Sequence, residues 1–581
     1  NVLNLALETP EDVRLKTDNL NVGYQTDNKT WELIAKYHGS LDFLIPLGVL
    51  VEYLIPGYCI LTVPQDLVET ISGYEEIEYI EKPKRYYYMI EDAKTASCIS
   101  SVETREPFLT GEGVLVAVLD SGIEYTRVDF RRADGSTRIR YLWDQTLTPT
   151  DNMRPPQGYG IGVEFSQDQI NDALQQEDAA LRAQIVPSMD ANGHGTAVAG
   201  IAAGGESACG RYQGVAFESE LLIVKLGIAP ADGFPRTTQI MRGVTYAVNK
   251  AIEIGMPLVI NLSFGNSYGA HDGSSLLERF LDNAAEIGRT VICVGSGNEG
   301  NSAGHMAGNV ADNQVVEFAI GSYETTLSVQ LWKHYCDVYR ISLRSPGGLQ
   351  EPLTGVVAQG KYTLRMEQTD ILVYIGEPSP YSVDQEIYIE LIPVSGSYIN
   401  SGIWQIIIEP IDATTGEYFL YMPTSAIRTE QTRFFRPTPE VTLTIPSTAV
   451  KVITVGSYDL TYNAYADFSG RGFADNRRNN NIVAGGVVKP DLAAPGVDII
   501  APDIYGGYQM VTGSSFATPL VSGSAALLME WGIVRGNDPY LYGAKVKAYL
   551  RAGAKPIRGE TDYPNGRVGF GALCLEDSLP I

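Results

Sequence analysis

The fold is decided by residues 113–122, GVLVAVLDSG, a continuous apolar run that ends in an acid and a glycine. Runs of this kind are typical of strands buried on both faces of a parallel sheet. Helical patterns at 238–254 and 275–287 alternate with further runs. Those runs are residues 221–225 (LLIVK), 257–263 (PLVINLS) and 290–295 (TVICVG). The pattern predicts an α/β fold with a doubly wound parallel sheet, whose functional residues gather beyond the carboxyl ends of its strands.

Other segments flank or interrupt this pattern. Residues 1 to about 90 alternate short strands and helices and predict a small α+β module. Residues 91–110 are polar and poorly patterned, which predicts a linker or an exposed segment. Residues 312 to about 440 carry short alternating strands without a long helix, and the parallel pattern resumes at 449–456 (AVKVITVG). An all-β domain, a sandwich or jelly roll, is therefore predicted to interrupt the α/β domain.

Composition narrows the classes of function. The 581 residues contain 44% hydrophobic and 19% charged residues, which is typical of a multidomain globular protein. The net charge of −26 and the lack of a basic cluster argue against a nucleic-acid partner. No run of 18 apolar residues is present, so no membrane span is predicted.

The cysteines are scattered and form no CxxC pair, a spacing that favours free buried thiols over a disulfide framework. The first ten residues lack the basic start and apolar core of a secretory signal, and the compartment stays open. The six cysteines are Cys59, Cys98, Cys209, Cys293, Cys336 and Cys574.

A serine pair precedes the most apolar helical pattern of the chain. Residues 511–519 (VTGSSFATP) lead into 520–528 (LVSGSAALL), which predicts a buried helix with a hydroxyl near its start. Unpaired amides at a helix start favour the oxyanion that forms when a hydroxyl attacks a carbonyl. The alternative is that the serine only caps the helix.

Three other positions could complete a catalytic group with that serine. Asp120 closes the first buried strand, where it could orient a base, pair with a cation or bind a metal. His194 lies between glycines in residues 192–200 (NGHGTAVAG), which lets a substrate backbone approach the imidazole, although a structural histidine is the alternative. Asn298 follows a buried strand in residues 295–300 (GSGNEG) and could donate to an oxyanion or simply form a turn.

A fourth segment, Ser263-Phe264-Gly265, also follows a predicted strand. It could pair with an extended peptide, with Phe264 as an apolar wall, or it could simply end the strand. Taken together, these positions supply an acid, a base, a nucleophile and a donor at one end of one predicted sheet.

These motifs resemble the signatures of the subtilisin-like serine proteases, in that family's order of Asp, His and Ser. The matching motifs are Asp120-Ser121-Gly122, His194-Gly195-Thr196 and Gly513-Ser514-Ser515-Phe516-Ala517. Asn298 matches the family's oxyanion asparagine, and residues 263–265 match its substrate-strand segment. The likeness covers roughly residues 100–310 and 445–555. Ser514 and Phe516 depart from the family's usual threonine and methionine, changes conservative enough to keep the mechanism.

The resemblance implies a serine endopeptidase that acts on a protein or peptide. Ser515 would be the nucleophile, His194 the general base and Asp120 the residue that orients it, while Asn298 and the Ser515 amide would form the oxyanion hole. No cofactor is required. Calcium is compatible with the fold and the acidic composition, but the sequence offers no definite ligand set.

The chain is also similar to the clostridial Csp germination proteases, through its amino-terminal module, its β insert and residues 138–145 (RIRYLWDQ). This similarity implies a prodomain at 1–96, a catalytic domain at 97–311 and 445–581, and an inserted jelly-roll domain at 312–444. The prodomain would act as chaperone and inhibitor and be cut by the enzyme itself near Thr95, Ala96 and Ser97. The substrate would be the pro-form of a spore cortex-lytic enzyme, in the spore; otherwise the protein would be secreted.

Three alternatives stay open. The same fold could serve as a catalytically silent sensor or binding scaffold, although Asp120, His194 and Ser515 are all present. The amino-terminal module could remain attached as a structural domain. The β insert could bind carbohydrate, although the sequence shows no aromatic platform and a rigidifying role is favoured.

Overall fold

In a computed structural model the chain forms two compact units, residues 1–89 and 90–581. The structure describes residues 2–14, 20–83, 91–205, 212–227, 235–355, 360–473 and 488–580.

The first unit has the small α+β architecture that its pattern predicts. Its five strands form one antiparallel sheet in which β5 also pairs with β2. Alternate residues of β2, such as Trp31, Leu33 and Ala35, are fully buried in its core. Its elements are α1 (Val2–Glu8), α2 (Glu11–Arg14), β1 (Tyr24–Gln25), β2 (Thr30–Tyr37), β3 (Leu50–Tyr53), β4 (Tyr58–Pro64), α3 (Val68–Ile71) and β5 (Ile77–Glu81).

The second unit begins with two short helices and then builds most of the parallel sheet. Its first elements are α4 (Glu91–Ala96), α5 (Ile99–Thr104), β6 (Leu115–Asp120), β7 (Ile139–Asp144), β8 (Val163–Ser166), α6 (Gln167–Leu174), α7 (Ala179–Ile185), α8 (His194–Ala203), β9 (Glu220–Lys225), α9 (Thr237–Ile254), β10 (Leu258–Leu262), α10 (Leu276–Ala285) and β11 (Thr290–Gly295). The four strands that the apolar runs predict are all present.

A strand-rich segment, residues 305–434, follows. Its strands form a six-stranded and a five-stranded antiparallel sheet that share one apolar core. Sequence patterning places the start at 312, seven residues after the first strand begins. The strands are β12 (His305–Asn309), β13 (Gln314–Ile320), β14 (Leu327–His334), β15 (Val338–Arg344), β16 (Gln350–Pro352), β17 (Gly360–Met366), β18 (Thr369–Ile375), β19 (Asp384–Pro393), β20 (Gly402–Asp412), β21 (Glu417–Tyr421) and β22 (Arg433–Phe434).

The chain then returns to the parallel sheet. The predicted strand at 449–456 begins only at Ile453, because the amides of Val450 and Lys451 donate to Asp282 on α10 instead of pairing with a strand. The closing elements are β23 (Ile453–Asp459), β24 (Ala464–Tyr465), β25 (Leu492–Pro495), β26 (Ile499–Pro502), β27 (Tyr508–Val511), α11 (Ser514–Met529), α12 (Gly543–Ala552) and α13 (Leu575–Ser578).

The parallel sheet has nine strands in the order β24-β23-β11-β10-β6-β9-β7-β8, with β25 beside β23. All described pairings are parallel except the outer ones to β24 and β8. Side chains of β6 alternate between two cores: Val116 and Val118 pack with α8 and α11, while Leu115, Ala117 and Leu119 pack with α9 and α10. Helices thus cover both faces, and the doubly wound prediction is confirmed.

Helix α11 is the most buried helix in this arrangement. By length and composition, Ser514–Val534 could cross a membrane, but 89% of its apolar window is buried inside the protein. Such burial is typical of a core helix.

Two predictions for the segment before β6 are wrong. Residues 91–104 form α4 and α5 rather than a linker, because Lys94 pairs with Glu103 at 2.7 Å and the Leu575 amide donates to the Ser97 carbonyl at 2.9 Å.

Cys98 and Cys574 form a disulfide across 476 positions of sequence. The prediction of free thiols fails there because sequence spacing does not reveal that α5 and α13 are neighbours. Cys59 and Cys293 are free and buried, Cys336 is free, and Cys209 lies outside the described residues.

Candidate active site

Asp120 and His194 form the centre of the site. His194 Nδ1 donates to Asp120 Oδ1 at 2.7 Å, and the Ser121 amide donates to the same oxygen at 2.7 Å. The Asp120 side chain is only 5% exposed, whereas that of His194 is 28% exposed. The carboxylate therefore fixes the imidazole tautomer that leaves Nε2 free to accept a proton.

The glycines around His194 are required by close contacts. A Cβ on Gly195 would lie 2.2 Å from the carbonyl oxygen of Gly122 and 3.2 Å from the Asp120 Cβ. Gly193 has a φ of 84°, which side chains rarely adopt. The glycine frame thus serves to bring the start of α8 against the end of β6.

Ser515 is the second residue of α11 and is partly exposed. The helix cap is Gly513, with a φ of 151°, and no side chain caps the helix, so the capping alternative for Ser515 does not hold. In this structure Ser515 Oγ donates to the Ser263 carbonyl at 2.9 Å. The Phe516 ring lies 5.3 Å from the His194 ring, so the start of α11 is next to the imidazole.

Asn298 and its neighbour Gly297 each form one hydrogen bond with Ser514. The Ser514 amide donates to Asn298 Oδ1 at 2.9 Å, and Ser514 Oγ accepts from the Gly297 amide at 3.0 Å. Because its oxygen is occupied by the backbone, the Asn298 amide nitrogen is oriented as a donor. Asn298 is itself exposed to solvent.

The loop that carries Asn298 is also bonded to the strand-rich segment. Glu299 Oε1 accepts from the Ser425 hydroxyl at 2.9 Å and from the Ser425 amide at 3.1 Å. Arg428 donates to the Ser302 carbonyl at 2.7 Å. The strand-rich segment therefore contacts the loop residues that follow Asn298 in sequence. Sequence patterning does not reveal this contact.

Ser263 contacts Ser515 more closely than its sequence pattern indicates. Its hydroxyl donates to the Ser515 carbonyl at 2.9 Å, so Ser263 forms hydrogen bonds with both the backbone and the side chain of Ser515. Two fully buried residues support it: Asn261 Nδ2 donates to Ser263 Oγ at 2.9 Å, and Ser522 Oγ donates to Asn261 Oδ1 at 2.8 Å. Asn261 and Ser522 were not predicted; their only signal is a polar residue inside an apolar strand or helix.

The other predicted positions lie as follows. Phe264 packs partly against the core beneath α9 and α10. Gly265 is exposed, and a Cβ there would meet Thr444 Oγ1 at 2.3 Å. Residues 95 and 96 end helix α4 and Ser97 is fully buried, so the predicted cleavage region is not in the extended form that proteases bind.

Nearby carboxylates raise the pKa of His194. Burial lowers its pKa, but the Asp120 carboxylate and, more weakly, Asp190 raise it, and the net pKa lies above the ordinary histidine value. Asp190 is a further buried acid that sequence inspection missed; its signal is its position four residues before His194. Within the described ranges, no group of three His, Cys, Asp or Glu side chains could hold a metal ion.

Comparison with known proteins agrees with this geometry. The profile of the Subtilase family matches residues 111–380 and 435–571, and that of the Csp protease B prodomain matches residues 1–84. The chain is similar to the solved structure of the Clostridium perfringens CspB protease, with 37% identity and a TM-score of 0.75, over 84% of this chain and 96% of that one.

Curated relatives are more distant. The minor extracellular protease Vpr of Bacillus subtilis (strain 168) is 22% identical over 81% of this chain and 52% of its own length. The PI-type proteinase of Lactococcus lactis subsp. cremoris is 23% identical over 85% of this chain and 26% of its own length. The chain thus spans about half, or less, of these longer relatives.

Proposed function

This chain belongs to the subtilase family, and on that premise we propose that it is a serine endopeptidase whose catalytic residues are Asp120, His194 and Ser515. The 2.7 Å contact between Asp120 and His194, with Ser515 at the start of the adjacent α11, carries the proposal. A carboxylate-oriented imidazole beside a hydroxyl at a helix start is the arrangement that activates a serine.

In the proposed reaction, rotation of the Ser515 side chain moves Oγ from the Ser263 carbonyl to His194 Nε2. Oγ attacks the peptide carbonyl carbon while Nε2 takes its proton, and Asp120 stabilises the resulting imidazolium. The imidazolium then gives that proton to the leaving amine as the peptide bond breaks. Water, deprotonated by His194, hydrolyses the acyl-enzyme and restores Ser515.

The oxyanion would be held by the Asn298 side-chain amide and the Ser515 backbone amide. Ser514 supports this role because it fixes the orientation of the Asn298 amide from the nucleophile's own helix. Since His194 must be neutral to act as base, activity is expected to rise with pH through its raised pKa.

The nucleophile is tested with a fluorophosphonate probe and peptide hydrolysis. Ser515→Ala should abolish both, because the probe reacts with the activated hydroxyl. Ser524→Ala is the matched control: this serine is buried on the same helix and bonds only to the Leu520 carbonyl in the described structure. It should keep both activities, whereas persistent labelling of Ser515→Ala would refute the assignment.

We further propose that residues 1–96, which include the first unit, form a prodomain that the enzyme removes itself. The match to the Csp protease B prodomain supports this reading. Cleavage near Thr95–Ser97 would require α4 to unwind. Intact mass of the purified protein locates the cut, and Ser515→Ala should remain uncut. An active enzyme with an intact amino terminus would favour the permanently attached domain.

The finer assignments rest on similarity to the CspB protease. We propose residues 312–444 as an inserted jelly-roll domain, 97–311 and 445–581 as the catalytic domain, and a spore cortex-lytic zymogen as substrate during germination. Incubation with such a zymogen should give a cleaved product with the wild type but not with Ser515→Ala. The intact Asp120–His194 contact does not favour a silent scaffold. Calcium binding stays a prediction without an assigned site.

A further inference from the structure

Asp190 is the most heavily hydrogen-bonded side chain next to the site. It is 2% exposed and accepts five hydrogen bonds. Oδ1 accepts from the Ser121 hydroxyl at 2.8 Å and from the Asn192 and Gly193 amides at 3.2 and 2.9 Å. Oδ2 accepts from the Thr196 amide and hydroxyl at 2.9 and 2.6 Å. Five donors on one buried carboxylate hold it in a fixed orientation.

These bonds organise the start of α8, which has no side chain at its cap position. Its first three amides, which no helical carbonyl can reach, are taken by outside groups. The His194 amide donates to Asn192 Oδ1 at 3.2 Å, the Gly195 amide to Ser121 Oγ at 2.9 Å, and the Thr196 amide to Asp190. Asp190 therefore serves as a displaced helix cap, and a carboxylate there also complements the helix dipole.

Ser121 connects this cap to the catalytic acid. Its hydroxyl donates to Asp190 while its amide donates to Asp120 Oδ1. The end of β6 and the start of α8 are thus joined through Asp190 as well as through the Asp120–His194 contact. Loss of the Asp190 carboxylate would release both elements at the position where the imidazole must be held.

Resting on the proposed function, we propose that Asp190 is a positioning residue for the reaction: it sets the His194 imidazole against Asp120 and favours its protonated state. The other carboxylate that acts on the imidazole is Asp120 on β6. Lys225 on β9 donates to the carbonyl of Met189, one residue before Asp190, at 2.7 Å and lies 3.5 Å from Asp144. The α11 side contributes the uncharged Phe516 ring. Asp190 is therefore the second carboxylate, after Asp120, whose charge stabilises a proton on His194.

The test is Asp190→Asn, because the amide has an acceptor oxygen at only one of the two carboxylate positions and turns its NH2 group toward donors at the other. In the active enzyme, kcat is expected to fall about ten- to a hundredfold with KM nearly unchanged, because the base is misplaced. The acid limb of the pH–rate profile should move down by about half a pH unit, since one negative charge near the imidazolium is gone. Glu530→Gln is the matched control.

Glu530 is equally buried and accepts backbone amides, those of Thr110 and Gly111 at 2.8 and 2.6 Å, but lies outside the site. Its variant should change stability without moving the pH limb. Thr196→Val keeps the charge but removes the hydroxyl that donates to Asp190 and accepts from the Glu124 amide, so kcat should fall severalfold with the acid limb unmoved. If folded Asp190→Asn keeps the wild-type kcat and pH limb, or if Thr196→Val keeps the wild-type kcat, the inference is overturned.

A readout without turnover separates this inference from the proposed function. The pKa of His194 is measured by proton NMR in a Ser515→Ala background, with and without Asp190→Asn, among the chain's five histidines. His194→Ala assigns the resonance. A downward shift supports Asp190 even if the wild type takes no fluorophosphonate label, whereas an unmoved titration overturns the inference in a fully active enzyme.

Discussion

The two edges of the parallel sheet each carry a buried carboxylate, and they are built in opposite ways. At the carboxyl edge, Asp120 accepts from a titratable imidazole and one amide, and its Oδ2 is buried without a hydrogen bond from any described residue. At the amino edge, Asp491 precedes β25 and contacts Lys489 at 2.8 Å, Lys547 at 2.9 Å and Arg551.

This difference separates the proposed catalytic acid, Asp120, from a structural one, Asp491. Burial raises the pKa of Asp491, but the three cations outweigh it and hold that pKa well below its usual range. The same burial holds the pKa of Lys547 well below its ordinary value. In this cluster the Asp491 carboxylate is held by ion pairs with fixed cations. Asp120 instead faces a histidine, whose charge changes during the proposed reaction. The chemistry of the partner, rather than burial, distinguishes the two edges.

Asp120→Asn should give the largest effect and should act on turnover alone. An amide in place of the carboxylate favours the wrong imidazole tautomer and no longer stabilises the imidazolium. We expect kcat to fall on the order of 10,000-fold while the melting temperature stays near that of the wild type. Steady-state peptide hydrolysis and thermal unfolding measure both; a loss below tenfold would place the acid's role elsewhere.

Asp491→Asn should do the reverse. Removal of the carboxylate that pairs with two buried lysines and the half-buried Arg551 leaves uncompensated charge, which typically costs about 3–5 kcal/mol of unfolding free energy. Urea unfolding in a Ser515→Ala background measures that loss. In the active enzyme, kcat per probe-labelled site should stay at the wild-type value. A fall in kcat without a loss of stability would contradict the structural role of Asp491 and its contrast with Asp120.

A third buried carboxylate, Glu278, sharpens the comparison because it has no ion-pair partner among the described residues. Burial raises its pKa to about 7. Its folded pKa exceeds the unfolded value, so the folded state binds the extra proton and stability falls as pH rises from about 5 to 7. For a pKa shift of this size, the free energy of unfolding should change by about 3 kcal/mol over this pH range.

Glu278→Gln should flatten this pH dependence, since the amide can accept from the Ser275 amide and donate to Thr448 without ionising. Urea unfolding at several pH values between 5 and 8 provides the measurement. Glu286→Gln is the control, because that carboxylate is 60% exposed at the end of the same helix. A slope equal to the wild type's in Glu278→Gln would show that another group titrates.

Most of the sheet and the members of the site were predictable because both depend on local signals. The apolar runs of β6, β9, β10 and β11 mark buried strands by composition alone. Asp120, His194 and Asn298 follow strands or stand between glycines, where functional residues gather in such folds. The linker prediction for 91–110 failed because short helices there are held by partners more than 400 residues away in sequence.

The sequence alone determined the fold class, the family and which residues could form an acid, a base, a nucleophile and an oxyanion donor. Only the tertiary structure decided how they are held: Asp190 and Ser121 join β6 to α8, Asn261 and Ser522 support Ser263, and Ser514 orients Asn298. The physical reason is the distance along the sequence over which each interaction acts. Strand and helix patterns arise from neighbours along the chain, whereas buried hydrogen bonds depend on distances that only the packed fold sets.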